Sequence, residues 1–320
     1  MGQAEGDLTT DVLLTGALMP RIEERLRERY RVRRLDQAPD RAALLAETGP
    51  AVRAIVTTGH LGCDADLIAA CPNLQVVGCF GVGYDGIDVP AAQAQGVVVT
   101  NTPDVLTDDV ADLAIALMLM VCRRLVVGDR WVREGRWLQG NLPLAQKLSG
   151  RKLGIFGLGR IGKAVARRAE AFDMVIAYHG RSRQDVHHTY HADPIELARW
   201  ADILCVVTPG GPATRHLVDA RVMDALGPEG VLINVARGSV VDETALCEAL
   251  AAGRLGGAGL DVFADEPRVP EILLTMENVV LEPHIASATV QTRTAMADLT
   301  VDNVIAVLEG RPPLTPVTEP

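Results

Sequence analysis

The sequence predicts an α/β protein of two doubly wound parallel-sheet domains, the second inserted in the first. Three observations predict it. Short apolar or β-branched runs alternate with helical patterns over residues 8–100, a second alternation fills Lys152 to about Pro283, and long helical patterns lie between them. With 320 residues, each domain is long enough for its own core.

In the first alternation the strand-like runs are 12–15, 30–35, 54–57, 75–79 and 97–100, and the helical patterns 20–29, 41–46 and 65–70. Pro103 and Thr107 punctuate the chain. A long helix is expected from Asp108 toward Arg124, with an amphipathic continuation over 126–137 that ends at Gly140, Asn141 and Pro143. The second alternation carries strands at 152–156, 174–178, 203–208, 231–234, 257–261 and 279–281. One helix over 288–308 then precedes a Pro-rich tail. That helix is expected to return to the N-terminal half. The resulting division is 1–100 with 287–320 for one domain and 101–286 for the other.

Composition excludes several classes. Apolar content of 48% with 22% charged residues is that of an ordinary globular protein. A net charge of −10 argues against nucleic acid or an anionic membrane as partner. The apolar run 113–127 contains Arg123 and Arg124 and is too short to span a bilayer, so it reads as a buried helix. Cys63, Cys71, Cys79, Cys122, Cys205 and Cys247 form no C-x-x-C pair and lie mostly in apolar patterns, as buried thiols of a reducing cytoplasm do. The N-terminus is polar and lacks a secretory signal. The Met-Gly start is followed by Gly6 where myristoylation wants Ser or Thr.

The most informative stretch is a strand, 152–156, running into Gly157, Leu158, Gly159, Arg160, Ile161 and Gly162, and then a helical pattern through Phe172. G-x-G-x-x-G between a strand and a helix is a dinucleotide fingerprint. The glycines provide a tight turn, close approach to a pyrophosphate, and close helix–strand packing, while the helix N-terminus favours the phosphate charge. An NAD site carries an acid about 20 residues further on. Here the second strand instead ends in His179-Gly-Arg181-Ser182-Arg183, with no acid at that point. Two guanidinium groups and a serine suit a 2′-phosphate, so NADPH is expected as cofactor and NADH as a weaker one.

Ligands of open parallel sheets bind beyond the carboxyl ends of the strands. In the second alternation the polar residues there are the glycine loop, Arg181, Thr208-Pro209, Arg237, Asp261 and His284. Reduction of a 2-keto acid needs a proton donor at the carbonyl oxygen, a task that suits histidine, and a carboxylate to hold the ring. His284 is the candidate donor. Glu266 is the candidate partner with Asp265 as its rival, and Arg237 would hold the substrate carboxylate and polarise the keto group. In the first half, Gly81-Val82-Gly83-Tyr84-Asp85 follows a strand end. Its successive N–H groups can form an anion-binding concavity, which puts the reaction in a cleft between the domains. His187, His188 and His191 cluster without a nearby Cys or a suitable carboxylate pattern and read as solvated, so no metal is expected.

Several motifs in order, Phe80-Gly-Val-Gly-Tyr-Asp85, Gly157 to Gly162, Asn234-Val-Ala-Arg-Gly-Ser239, Gly259-Leu-Asp-Val-Phe263 with Glu266-Pro267, and Pro283-His284, resemble the D-2-hydroxyacid dehydrogenase family over nearly the whole chain. The resemblance implies a Rossmann-type cofactor domain inserted in a flavodoxin-like substrate domain. It also implies a catalytic trio of Arg237, Glu266 and His284, which favours Glu266 over Asp265. Asp261 would orient the nicotinamide amide, and the backbone at Val82 and Gly83 would contact the substrate carboxylate. Residues 100–107, 179–183 and 209–214 look most like the NADPH-dependent glyoxylate/hydroxypyruvate reductase branch. Family members are homodimers held by the region at about 101–150, where Trp137 looks like a residue that reaches the partner's active site. The chain ends soon after its last helix, without the regulatory extension of many phosphoglycerate dehydrogenases, and has Glu266 where formate dehydrogenases carry Gln. Hydroxyphenylpyruvate and 2-ketogluconate are alternative substrates. A nucleotide-sensing, corepressor-like binding protein is the alternative of another class.

Overall fold

A computed structural model describes residues 10–318, so the reading of the Met-Gly start and Gly6 lies outside the described residues. The chain divides into two compact units. Among the described residues, one comprises those up to Leu106 and from Thr289 onward, and the other is Thr107–Ala288. These boundaries fall a few residues later than the sequence suggests.

The first unit holds β1 (Asp11–Leu14), β2 (Arg31–Arg34), β3 (Val52–Thr57), β4 (Val76–Cys79) and β5 (Val98–Thr100). All pair in parallel, in the order β2-β1-β3-β4-β5, which is the flavodoxin-like order. Every residue of β1 and β4 is buried because helices cover both faces. The helix Val290–Leu308 belongs to this unit and lies on β4, where a Cβ at Gly78 would be 3.0 Å from Val304. Asp298 on that helix takes ion pairs from Arg21 at 2.7 Å and Arg25 at 2.8 Å.

The second unit holds β6 (Lys152–Phe156), β7 (Val175–His179), β8 (Thr189–Tyr190), β9 (Ile203–Val206), β10 (Val231–Asn234), β11 (Gly257–Leu260) and β12 (Val279–Leu281). Its parallel order is β12-β11-β10-β9-β6-β7-β8. Strand order reverses between β6 and β9, and sheets of this kind bind ligands beyond the strand ends at such a reversal. Strand β8 is not anticipated by the sequence, since two residues carry no periodicity. The expected long helix breaks in two, Thr107–Arg123 and Leu125–Arg133, because Arg124 adopts φ +53°. The helix Thr107–Arg123 lies against β11, where a Cβ at Gly259 would be 3.0 Å from the Cβ of Leu117. Phe156, Leu204, Leu232, Leu246 and Leu260 share one core. Asp193, Asp219 and Asp242 cap the helices that follow them by accepting first-turn N–H groups.

No helix among the described residues is long and apolar enough to cross a membrane. All six cysteines are free thiols, five buried and Cys247 half-buried. Burial pushes the Cys63 and Cys205 thiols up to about 12 and Cys71 to about 11, which removes them as nucleophiles at neutral pH.

Candidate active site

The parallel strands of the second unit all end on one edge, and the residues singled out in its sequence follow those ends. After β6 the three glycines have separable roles. Gly157 sits at φ +96°, and a Cβ there would also press on Thr208, 3.0 Å away. A Cβ at Gly159 would meet nothing within 4 Å, so a ligand can approach the backbone there. At Gly162 a Cβ would lie 2.1 Å from the carbonyl oxygen of Gly157, so only glycine lets the helix Arg160–Glu170 start this close to the turn. The helix has no side-chain cap. The N–H groups of Leu158, Gly159 and Ile161 donate to nothing among the described residues. Beside them, Thr208 Oγ1 is buried without a hydrogen-bond partner. Open donors at a helix N-terminus form a receptor for an anion.

After β7, Arg181, Ser182 and Arg183 are exposed, and neither guanidinium has a partner among the described residues. Gln184, not singled out by the sequence, ties this loop to the glycine turn. Its Nε2 donates to the carbonyl of Leu158 at 2.8 Å, and its backbone N–H donates to the Tyr178 hydroxyl at 2.6 Å. Pro209, beyond β9, is exposed, and its carbonyl accepts from the Thr214 hydroxyl at 2.6 Å.

The remaining edge brings three loops together through backbone contacts. Asn234 ends β10 and shapes the next turn, accepting from the Ala236 N–H at 3.1 Å and donating to the Arg237 carbonyl at 3.0 Å. Arg237 is half-buried, with one guanidinium nitrogen on the Ala236 carbonyl at 2.7 Å. The next residue, Gly238, meets the loop after β11 so closely that a Cβ would be 2.0 Å from the Phe263 carbonyl carbon and oxygen. Three residues further along that loop stands Glu266. One of its carboxylate oxygens accepts the Phe263 N–H at 3.0 Å, and the other lies 2.8 Å from Nδ1 of His284. Asp265 is turned away in a two-pronged pair with Arg268, at 2.7 and 2.8 Å.

His284 itself is in the left-handed region, φ +54°, a conformation that costs a non-glycine residue about 1 kcal/mol or more and calls for a restraint. Asp261 supplies it. The Asp261 carbonyl accepts the His284 N–H at 2.8 Å, and its two carboxylate oxygens accept from Ile285 at 2.7 Å and Ala286 at 3.0 Å. Asp261 has no exposed surface. Its carboxylate clasps the His284 loop through these bonds. Burial pushes its carboxyl from 3.8 up to about 6, against the pull of the Ile285 and Ala286 N–H groups and of His284. Between those two values the folded protein holds a proton that the unfolded chain has released. Stability should therefore fall as pH rises through this window. Denaturant unfolding at pH 4.5 and 7 should show that slope in the wild type and a flatter one in Asp261→Asn. Equal slopes would exclude Asp261 as its source.

In the first unit, the carbonyls of the 81–85 loop after β4 are turned inward. Gly81 accepts from the Thr102 N–H at 2.9 Å, Val82 from Asn101 Nδ2 at 2.8 Å, and Gly83 from the Cys79 thiol at 3.4 Å. The N–H groups of Val82 and Gly83 have no acceptor among the described residues. An anion suits such a pair.

The solvated reading of the histidine cluster holds for His187, whose side chain is 79% exposed, and not for its two neighbours. His191 lies against Trp200 with its Nε2 buried and unpartnered, and the His188 side chain is only 11% exposed. A carboxylate is present too. Glu170, from the end of the helix Arg160–Glu170, reaches His187 Nε2 at 3.1 Å. Sequence spacing could not find it, because Glu170 is remote along the chain.

Residues 115–286 match the family model described as D-isomer specific 2-hydroxyacid dehydrogenase, NAD binding domain. A hydroxyphenylpyruvate reductase of Plectranthus scutellarioides is 50% identical over 307 residues, 96% of this chain and 98% of its own. A glyoxylate/hydroxypyruvate reductase of Arabidopsis thaliana is likewise 50% identical over 307 residues, with the same shares of each chain. Among solved structures, the NADPH-dependent glyoxylate/hydroxypyruvate reductase of Sinorhizobium meliloti, in complex with NADP and malonate, is 50% identical. Its TM-score is 0.92, over 97% of each chain.

Proposed function

The chain belongs to the D-isomer specific 2-hydroxyacid dehydrogenase family, and from that premise we propose that it is an NADPH-dependent reductase of small 2-keto acids, glyoxylate and hydroxypyruvate first among them. The observation that carries this reading is the Glu266–His284 pair, 2.8 Å apart on the edge that also bears the glycine turn.

The residues present fit a dinucleotide. Gly159 leaves room for a pyrophosphate, the N–H groups of Leu158, Gly159 and Ile161 are open to it, and Thr208 Oγ1 lacks a partner. Arg181, Ser182 and Arg183 are the proposed holders of a 2′-phosphate. A reduced nicotinamide, when bound, supplies the hydride that a carbonyl carbon accepts. Negative charge then builds on the carbonyl oxygen, and His284 is the group that protonates it. With Nδ1 committed to Glu266, Nε2 is the ring nitrogen left to face the substrate. Arg237 holds the substrate carboxylate and polarises the keto group. The open N–H groups of Val82 and Gly83 are the proposed backbone donors to that carboxylate. Asp261 is a positioning residue.

Removing both guanidinium groups in Arg181→Ala/Arg183→Ala should lower kcat/KM for NADPH roughly 10- to 100-fold, the loss of one or two charge-assisted hydrogen bonds. The value for NADH should stay unchanged. An equal drop with both cofactors would mean that the loop does not read the 2′-phosphate.

Exposed apolar residues gather in the helical region: Val132, Trp137, Leu138 and Leu144 are 57, 64, 94 and 100% exposed. They favour a homodimer through this region, with Trp137 reaching the partner's active site. A cytoplasmic location accords with six free thiols.

A panel of glyoxylate, hydroxypyruvate, hydroxyphenylpyruvate and 2-ketogluconate, run with NADPH and with NADH, tests the assignment. The fastest turnover is expected on the two small acids. The relative from Plectranthus scutellarioides, at equal identity, favours hydroxyphenylpyruvate as the second reading. No oxidation of NADPH on any acid would replace both with the nucleotide-sensing reading.

A further inference from the structure

We propose that Glu170, His187 and His188 form a binding site for one divalent transition metal ion, Zn²⁺ by the chemistry of its donors. The site lies apart from the Glu266–His284 pair. It joins the C-terminal end of the helix Arg160–Glu170 to the segment between β7 and β8. Two imidazole nitrogens and one carboxylate oxygen lie within 4.8 Å of one another. The Glu170 oxygen is 3.1 Å from His187 Nε2 and 3.8 Å from His188 Nε2. Donors on a tetrahedral zinc, each bonded at about 2.0–2.1 Å, sit roughly 3.3–3.4 Å apart. The two distances bracket that value, and the imidazole nitrogens lie within 4.8 Å of each other, so closing the set requires side-chain adjustment. Water would take the fourth position.

Three further features fit a cation here. The His187 and His188 rings lie 4.0 Å apart with their Nε2 edges toward the same carboxylate. Their Nδ1 atoms have no hydrogen bond among the described residues, so either ring can move its proton to Nδ1 and free Nε2 for coordination. Glu170 ends an eleven-residue helix, where the backbone dipole is negative. The His188 side chain is only 11% exposed, so a bound ion would be partly shielded from water. Two nitrogens and one oxygen suit Zn²⁺, Cu²⁺ or Ni²⁺. They do not suit Mg²⁺ or Ca²⁺, which prefer oxygen shells.

Occupancy would reinforce the His187–Glu170 contact, which ties the segment after β7 to the helix Arg160–Glu170 as the Gln184–Leu158 hydrogen bond ties it to the glycine turn. The segment between these ties carries no other anchor to the glycine turn or its helix among the contacts described above. The binding step does not depend on which cofactor or keto acid the protein uses.

Calorimetric titration of metal-free full-length protein with Zn²⁺ should show one site, and titration with Mg²⁺ none. His187→Ala/His188→Ala should abolish that site, and Glu170→Gln should weaken it, with thermal melting in chelator unchanged in each. Co²⁺ as an optical probe should give the visible bands of tetrahedral nitrogen and oxygen coordination. Absence of Zn²⁺ binding, full binding retained in the double variant, or a sulfur-to-cobalt charge-transfer band that puts the ion on a cysteine would each overturn the proposal.

Discussion

His284→Ala is expected to lower turnover by about two to four orders of magnitude, the usual contribution of a positioned general acid, while dinucleotide affinity stays near that of the wild type. Three features of the site support so large an effect. The imidazole is oriented by Glu266 at 2.8 Å, and Glu266 is itself held by the Phe263 N–H at 3.0 Å. These two bonds fix the orientation of the ring in the structure. The backbone beneath it is fixed by Asp261 from both sides of the peptide, so alanine inherits the loop geometry without inheriting a proton donor. The side chain is 40% exposed, so little packing is lost and the variant should melt close to the wild type. Arg237→Ala should act differently if Arg237 holds the substrate carboxylate as proposed, raising KM for the keto acid as well as lowering kcat. Near-normal turnover in folded His284→Ala would remove the imidazole from the chemistry and leave the reductase reading without its proton donor.

Gly238→Ala is expected to be the most damaging single methyl group in this part of the chain. A Cβ there would sit 2.0 Å from the Phe263 carbonyl carbon and oxygen and 2.4 Å from the Ala264 nitrogen. All three are backbone atoms, and the loop that carries them is also held by Glu243, whose carboxylate accepts the Ala264 N–H at 3.1 Å. Relief of the clash must drive the Arg237 turn and the Glu266 loop apart by more than 1 Å. Overpacking of this kind costs about 3 kcal/mol. Separating the two loops by that distance should cost roughly a hundredfold in kcat. Chemical denaturation and steady-state kinetics on the same preparation check both numbers. A variant of wild-type stability and activity would mean that the two loops do not depend on this contact.

Much of this arrangement is legible in the sequence because its constraints are local. The roles of Gly157, Gly159 and Gly162 follow from a strand, a turn and a helix that are contiguous in the chain, and the structure gives each glycine its own measurable reason. That both sheets are parallel follows from the alternation of strands and helices, while their strand orders emerge only in the structure. What escapes is whatever depends on contacts across loops. Gln184 looks like any polar loop residue until its amide is found on the Leu158 carbonyl. Glu170 acquires its imidazole neighbours only when the segment after β7 folds back to the end of the helix. Asp261 is the instructive case. Its strand-end position marks it for ligand contact, but nothing in the sequence tells that its oxygens also accept the N–H groups of Ile285 and Ala286. Arg124 hides a helix break because nothing in its side chain announces a left-handed backbone.

The inward-turned carbonyls of Gly81, Val82 and Gly83 have one more outcome. Main-chain amides neither gain nor lose a proton across the range in which enzymes work, so a receptor made of them keeps the same polarity in acid and in mild base. If these amides take the keto acid's carboxylate, that attraction is constant, and a bell-shaped rate profile would owe its limbs to side chains elsewhere. Preference for a negatively charged substrate would then be a property of peptide orientation, beyond the reach of any single side-chain replacement that leaves the turn intact.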